Sequence, residues 1–189
     1  GHDAWTFRDD WDNASFIRNE FLHRVQKEMG QPSPSGRMVN LFMNGEYWGL
    51  YELQEFPHEH FNADHHGGDT DDWDIVKHGA EVESGNAIAW NEMINLAENG
   101  LQSGSEYAAI QRFVDIDNFA DAMIHRIWSS DEDWLAPATR NGQSISTFFD
   151  DKNWYVARRS RNGEAPFIFY SWDAAVSYTH LRAHETESN

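Results

Sequence analysis

The sequence predicts an α+β fold in which antiparallel hairpins pack with helices. Two apolar runs flank Asn44-Gly45, the strongest short-range signal for a two-residue hairpin turn. A second pair of apolar runs surrounds a turn at Gly163. Segments with helical periodicity lie before and between these hairpins, with no βαβ order and no internal repeat. We therefore expect one α+β domain.

The first predicted elements are an amphipathic helix and a hairpin. The helix covers Asn13–Met29 and ends before Gly30 and Pro32, which do not continue helices. Its apolar positions fall on one face at helical spacing: Phe16, Ile17, Phe21, Leu22 and Val25. The two strands of the hairpin are predicted at Met38–Met43 and Tyr47–Gln54.

The rest of the chain supplies further helices, a third strand and the second hairpin. A short helix is expected within Phe56–Phe61, then a loop at Asp64–Asp72 and a strand at Asp74–Lys77. Helical periodicity predicts three more helices, of which the last has Asp115 or Asp117 as its N-cap: Ala87–Asn99, Ser105–Phe113 and Ile116–Ser129. Composition predicts a loop at Pro137–Ser146, and the closing hairpin pairs Asn153–Arg158 with Pro166–Trp172.

Composition limits the classes of partner. The chain has 189 residues, 40% of them hydrophobic and 14% aromatic, which predicts a folded domain despite a net charge of −18. Thirty-two carboxylates against 14 Lys and Arg repel phosphate backbones, so nucleic acid is not an expected partner, whereas cations and basic polypeptides are. No apolar run reaches the roughly 20 residues of a membrane span. The absence of cysteine excludes disulfides and thiolate metal sites.

The two ends of the sequence have an unusual character. The chain starts at Gly1, with neither an initiator Met nor a signal-peptide pattern, and we expect this start to be a cut edge. From Val176 to Asn189 no structural pattern persists, and VSYTHLRAHET resembles the translated read-through of a sequencing adapter. We therefore expect a partial domain at residues 1–175 and a non-native tail at residues 176–189.

Two polar features point to metal-dependent chemistry. Asp131–Trp134, DEDW, follows the last predicted helix, and its three adjacent carboxylates need water, a cation or a basic partner to remain ionised together. Asn153 begins one strand of the closing hairpin and Asp173 follows the other, so pairing of these strands would bring them together. An amide oxygen and a carboxylate are ligands suited to Mg²⁺. The alternatives are a solvated acidic loop, a turn Asn and an exposed Asp.

Lys77 and Glu55 form a further candidate pair. Lys77 ends the apolar strand WDIVK, and Glu55 lies just beyond the first hairpin. A strand-borne Lys can bind phosphate oxygens while a Glu orients it, although isolated charges of this kind are usually surface residues. Gly67–Asp74 lacks the spacing of an EF-hand, and the histidines of HEH and HH lack helical zinc-site spacing. Most tryptophans fall within patterned elements and are expected in the core.

Several segments, in order, resemble the CotH kinase family: FIRNEFLHRV, VNLFMNGEYWGLYELQE, DIVK, DIDNFADAMI, DEDW, NWYVARR and FYSWDA. The resemblance implies an incomplete atypical protein-kinase-like fold that transfers phosphate from ATP to serine with Mg²⁺. Its likeness to coat and surface proteins implies a location outside the cell or on the spore surface. The implied partner is a Ser-rich protein substrate, for which the acidic surface favours basic segments.

The resemblance also implies roles for individual residues. Asp133 would be the catalytic base, Asn153 and Asp173 would hold the metal, and Lys77 would bind phosphate with Glu55 as its orienter. One departure is the polar segment Leu135–Lys152, which separates the base from Asn153 and resembles an insertion. It can loop out if its ends stay close, since loop length costs little free energy. If its ends are apart, the base would instead be Asp150 or Asp151.

Two other classes of function are compatible with the sequence. A kinase-like fold can serve recognition alone, and an inactive surface or coat module would use its acidic face to bind cations or a basic partner. A carbohydrate-binding or glycoside-cleaving domain built on Trp and paired carboxylates is the weaker alternative, since no acid pair has supporting sequence context.

Overall fold

The computed structural model describes residues 5–8, 17–129, 131 and 153–173. These residues form two antiparallel sheets, of three and four strands, together with five α-helices. The predicted α+β class is therefore confirmed. Within those residues, no helix has the length and apolar character that a membrane span requires. The expected tail at residues 176–189 lies outside the described residues.

The first sheet is built on the predicted Asn44-Gly45 hairpin. Both turn residues have positive φ angles, 53° and 86°, as a two-residue turn between twisted strands requires. The sheet has the order β1-β3-β2, in which β1 was not predicted: β1 (Trp5–Arg8), β2 (Gly36–Met43) and β3 (Glu46–Glu55).

The second sheet combines the predicted third strand with the closing hairpin. Its order is β5-β4-β6-β7: β4 (Trp73–Lys77), β5 (Glu81–Ser84), β6 (Trp154–Arg159) and β7 (Ile168–Ser171). Lys77 pairs with Tyr155, and Trp154 pairs with Ser171. All pairings are antiparallel, so the end of β4, the start of β6 and the end of β7 lie side by side. Together these strand ends form one edge of the sheet.

The helices follow the predicted order with small shifts of their ends: α1 (Arg18–Glu28), α2 (Glu59–His66), α3 (Ile88–Glu98), α4 (Gly104–Ile110) and α5 (Ile116–Trp128). The Asp115 carboxylate caps α5, accepting hydrogen bonds from the backbone N–H groups of Asp117 and Asn118 at 3.1 Å each. Helix α2 begins later than predicted, so the first part of the expected Asp64–Asp72 loop is helical.

Apolar side chains cover both faces of the second sheet. Trp154 and Val156 pack with α3, α4 and α5 on one face, whereas Tyr155 and Ala157 pack with α2 on the other. Four of the predicted core tryptophans are buried there: Trp73, Trp90, Trp154 and Trp172. Two others contradict the expectation, because Trp48 and Trp128 are exposed.

The predicted apolar face of α1 is only partly correct: Leu22 is buried and Val25 is partly buried, while Phe16 lies outside the described residues. Ile17 and Phe21 are 61% and 50% exposed, and the helix buries a mainly polar face instead: Asn19, Leu22, His23 and Gln26. These polar groups are buried because β3 and β7 supply partners. The Asn19 amide donates to Glu52 Oε2 at 3.1 Å and to Gln54 Oε1 at 3.0 Å. Gln26 donates to the Phe169 carbonyl at 3.3 Å.

Two buried histidines make stability depend on pH. Burial lowers the pKa of His23 from 6.5 to about 3, and burial lowers that of His125 from 6.5 to about 4. The unfolded chain therefore binds protons that the folded chain rejects between about pH 6.5 and pH 4. The free energy of unfolding should fall on acidification through this window, by up to about 1.4 kcal/mol per pH unit for each histidine.

Urea unfolding at a series of pH values measures this slope. We expect His23→Gln and His125→Gln each to make the slope shallower, whereas the partly exposed His78→Gln keeps it. An unchanged slope in both buried-site variants would show that the two imidazoles do not reject protons in the folded state.

Candidate active site

The register of the second sheet gathers three of the predicted site residues. Lys77 ends β4, Asn153 immediately precedes β6, and Asp173 follows β7 by two positions. The Asn153 side-chain amide lies 3.5 Å from the Asp173 carbonyl oxygen. The predicted proximity of Asn153 and Asp173 is therefore confirmed, and Lys77 lies at the same edge of the sheet.

Asn153 and Asp173 both adopt left-handed backbone conformations, with φ angles of 68° and 51°. Asn and Asp tolerate this region better than other non-glycine residues, and it ends an extended strand abruptly. The two residues therefore mark the ends of β6 and β7 and stand where the chain departs from the sheet. Non-glycine residues in this region often cluster at functional sites.

The Asp173 carboxylate forms an ion pair with Arg8 of β1. Arg8 also lies over the Trp172 ring, 5.6 Å from its centroid. The ion pair uses Asp173 Oδ1, whereas Oδ2 makes no hydrogen bond with the described residues. A carboxylate and an amide oxygen fit the hard-oxygen donor set that Mg²⁺ takes, so Asn153 and Asp173 suit the ion provided that it competes with Arg8.

Lys77 is paired with carboxylates of the neighbouring strand. Its Nζ lies 2.8 Å from Glu83 Oε2 and 3.2 Å from Glu81 Oε1, and only 18% of its side chain is exposed. The hydrogen bond to Glu83 raises the pKa of Lys77 far above its usual value, so the ammonium is fully charged at neutral pH. A charged amine that is hydrogen-bonded to carboxylates can exchange these partners for phosphate oxygens.

The predicted pairing of Lys77 with Glu55 is not formed. Glu55 ends β3 in the other sheet, where its carboxylate accepts a hydrogen bond from the Ser35 backbone N–H at 2.8 Å and contacts His65 Nε2 at 3.2 Å. The sequence signal that identifies the actual partners is the short β4–β5 connection. It places Glu81 directly opposite Lys77 in the strand register.

Arg126 is the buried cation that connects the helical layer with the site. Its Nη1 donates to Asp131 Oδ2 at 2.6 Å, and its Nη2 donates to the carbonyls of Asn153 at 2.6 Å and Tyr170 at 3.2 Å. Burial lowers the pKa of Arg126 to about 10, while the charge of Asp131 opposes this shift. Asp131 of DEDW is thus a buried ion-pair partner, which the solvated-loop interpretation missed.

The proposed base Asp133 lies outside the described residues, as do Asp150, Asp151 and the predicted insertion Leu135–Lys152. Asp131 and Asn153, the described residues on either side of this region, share one partner. Asp131 and the Asn153 carbonyl both bind the guanidinium of Arg126 at 2.6 Å. Arg126 therefore brings Asp131 and Asn153 together, while both ends of the predicted insertion, Leu135 and Lys152, lie outside the described residues.

The other polar motifs do not form a metal centre in the part of the chain that the structure describes. No group of three His, Asp or Glu side chains there could hold a metal ion. Asp72 of the GGDTDDWD segment instead accepts hydrogen bonds from the Asp69 backbone N–H at 3.0 Å and from the Asn162 amide at 2.7 Å. This arrangement agrees with an Asx-rich turn rather than a calcium loop.

The Arg126–Asp131 pair should be strongly coupled in stability. We expect Arg126→Met to lower the free energy of unfolding by roughly 3–5 kcal/mol, because it leaves the Asp131 charge buried without its main partner. Arg126→Met combined with Asp131→Leu should recover part of this loss. Urea unfolding of the two single variants and the double variant measures the coupling.

The ion pair between Arg158 and the exposed Glu164, with a separation of 3.6 Å, provides a control. Glu164→Gln should change stability by less than about 1 kcal/mol. Additive losses in the Arg126 and Asp131 variants would contradict the central role assigned to this ion pair.

Comparison with known proteins assigns the chain to a family. No curated protein matches the sequence at a significant level. The sequence profile described as CotH kinase protein matches residues 1–188, which is nearly the whole chain and includes most of the expected tail. The motifs that carry the resemblance and the α+β fold agree with this match. The chain therefore belongs to the CotH kinase family.

Proposed function

We propose that this chain carries the nucleotide- and metal-binding part of a protein kinase that transfers the γ-phosphate of ATP to serine. The observation that supports the proposal most strongly is the juxtaposition of Lys77, Asn153 and Asp173 at one edge of the second sheet. A cationic amine, an amide and a carboxylate are the groups that phosphoryl transfer requires for phosphate and metal binding. Family membership supports the same chemistry.

Each residue has a defined part in this proposal. Asn153 and Asp173 would hold Mg²⁺, which neutralises the charge of the β- and γ-phosphates when bound. Lys77 binds phosphate oxygens, with Glu81 and Glu83 in place of Glu55 as the carboxylates that position its ammonium. Asp133 accepts the proton of the serine hydroxyl while the serine oxygen bonds to the γ-phosphorus and the bond to ADP breaks.

The electrostatics of the site make nucleotide binding depend on the cation. Glu81 and Glu83 place two carboxylates on Lys77, Asp173 adds a third at the same edge of the sheet, and the whole chain carries a net charge of −18. ATP is itself strongly anionic, so its phosphates are repelled unless Mg²⁺ offsets the charge. We therefore expect ATP to bind weakly when a chelator removes the metal.

The ion pair between Arg8 and Asp173 favours a second candidate function, a binding module without catalysis. An arginine on the metal-binding carboxylate satisfies its charge without any ion, as expected of a kinase fold that serves recognition. Thermal unfolding distinguishes the two functions. Stabilisation by ATP with Mg²⁺ supports the kinase, whereas stabilisation by Ca²⁺ alone supports the module.

Substitutions at the site test the proposed reaction directly. Lys77→Met, Asp133→Asn and Asp173→Asn should each reduce phosphate transfer by at least roughly a hundredfold, because each removes a charge that stabilises the transition state or accepts the proton. The measurement is transfer of radiolabelled γ-phosphate from ATP to a Ser-rich protein by the whole chain. The exposed Asp71→Asn removes the same charge away from the site and should leave transfer unchanged. Full activity of all three site variants would reject the assignment.

Removal of Arg8 tests the metal position. Arg8→Ala frees the Asp173 carboxylate from its cation partner, so the affinity for Mg²⁺ should rise severalfold, while Arg37→Ala on exposed β2 should not alter it. Isothermal titration with MgCl₂ gives both affinities. A weaker affinity in Arg8→Ala would mean that Arg8 supports the metal site rather than competing for it.

A further inference from the structure

A cleft of about 370 Å³ lies between the C-terminal end of α1 and the helix α2. Lys27 and Ser33 line it from the first side, and Phe61, His65 and His66 line it from the second. None of the residues that line this cleft belongs to the predicted kinase site. Its chemistry therefore needs a separate explanation.

The charge of this cleft is opposite to that of the chain. The sequence has 32 acidic residues and 14 Lys and Arg, yet the lining includes Lys27, His65 and His66 and no carboxylate. Two described carboxylates contact the lining from outside: Glu55 lies 3.2 Å from His65 Nε2, and Asp121 Oδ2 accepts a hydrogen bond from Gln31 Nε2 at 2.7 Å. The charge that the lining itself contributes is the positive one of Lys27, which favours an anion over a cation as the ligand.

The basic side chains are held in place by their neighbours. The Tyr170 hydroxyl donates its proton to Asn62 Oδ1 at 2.9 Å, and its oxygen lies 3.0 Å from His66 Nε2. Because this hydroxyl proton is already used, His66 Nε2 is the donor in its bond to Tyr170. Nδ1 of His66 is thereby left as a hydrogen-bond acceptor for a ligand. Lys27 donates a hydrogen bond to Ser35 Oγ and retains further N–H groups.

Ser33 adds an independent indication of a ligand. The residue lines the cleft and is only 5% exposed, and its hydroxyl has no hydrogen-bond partner among the described residues. A buried polar group without a partner costs free energy, and such groups in native proteins call for an explanation. A hydroxyl beside a lysine ammonium supplies two donors that phosphate oxygens would satisfy.

We propose that the cleft between α1 and α2 binds a phosphate monoester group. Phosphate presents several strong acceptor oxygens, which the ammonium of Lys27 and the hydroxyl of Ser33 can bind together, and a monoprotonated phosphate can donate its own proton to Nδ1 of His66. A metal ion fits less well, since Lys27 repels it and the described residues hold no group of three metal-ligating side chains. Phe61 adds an apolar wall for the organic part of the ligand.

Titration of the whole chain without ATP or Mg²⁺ tests the proposal. Isothermal titration with inorganic phosphate and with a short phosphoserine peptide should show saturable binding of at least one of them. Binding of phosphate alone identifies a small anion as the ligand, whereas tighter binding of the peptide identifies a phosphorylated protein. Because no nucleotide is present, the result does not depend on whether the chain is an active kinase.

Variants then locate the binding. Lys27→Gln should weaken it at least tenfold, while Arg24→Gln, which removes an exposed charge from the same helix, should change it less than twofold. Ser33→Ala should weaken binding without lowering the melting temperature, because the hydroxyl lost has no partner. The proposal is overturned if neither probe binds, if the two charge variants act equally, or if the cleft binds Zn²⁺ through His65 and His66 in place of phosphate.

Discussion

The buried guanidinium of Arg126 is the interaction on which the candidate site depends. Burying a charge is unfavourable unless ion pairs and hydrogen bonds replace the lost water. Here Asp131 supplies the opposite charge, and the carbonyls of Asn153 and Tyr170 accept hydrogen bonds from Nη2. Because Arg126 belongs to α5, these bonds fix the start of β6 and the end of β7 relative to the helical layer. The positions of Asn153 and Asp173 follow from that constraint.

The sequence predicted those parts of the fold that depend on local chemistry. The Asn44-Gly45 turn needs two residues with positive φ, and the residue types state this directly. The closing hairpin was equally accessible, because antiparallel pairing across one turn necessarily places Asn153 beside the strand end that leads to Asp173. The site geometry that was correctly predicted is thus the geometry that one hairpin determines.

The features that could not be predicted depend on partners distant in the sequence. Hydrophobic periodicity assigns Ile17 and Phe21 to the buried face of α1, but Asn19 is buried instead because Glu52 and Gln54 accept its hydrogen bonds. A prediction from hydrophobic periodicity assumes that burying a polar side chain is unfavourable. It does not include a hydrogen-bond partner that another helix or strand supplies. The partners of Lys77 were not predicted because β5 is a strand of only four residues, EVES, which is too short for an apolar pattern to indicate it.

The charges at the sheet edge suggest how a site can be stable without its ligands and still bind them. Lys77 and Arg8 are each paired with carboxylates, and 18% and 19% of their side chains are exposed. Partly exposed ion pairs of this kind contribute only about 0–1 kcal/mol, since water screens them. Exchanging Glu83 for a phosphate oxygen, or Arg8 for a metal ion, therefore sacrifices little stability while forming interactions with more highly charged groups. Arg126 is fully desolvated, so exchanging its partners would cost much more free energy. Lys77 and Arg8 can therefore exchange partners for ligands, whereas Arg126 keeps its partners and stabilises the site.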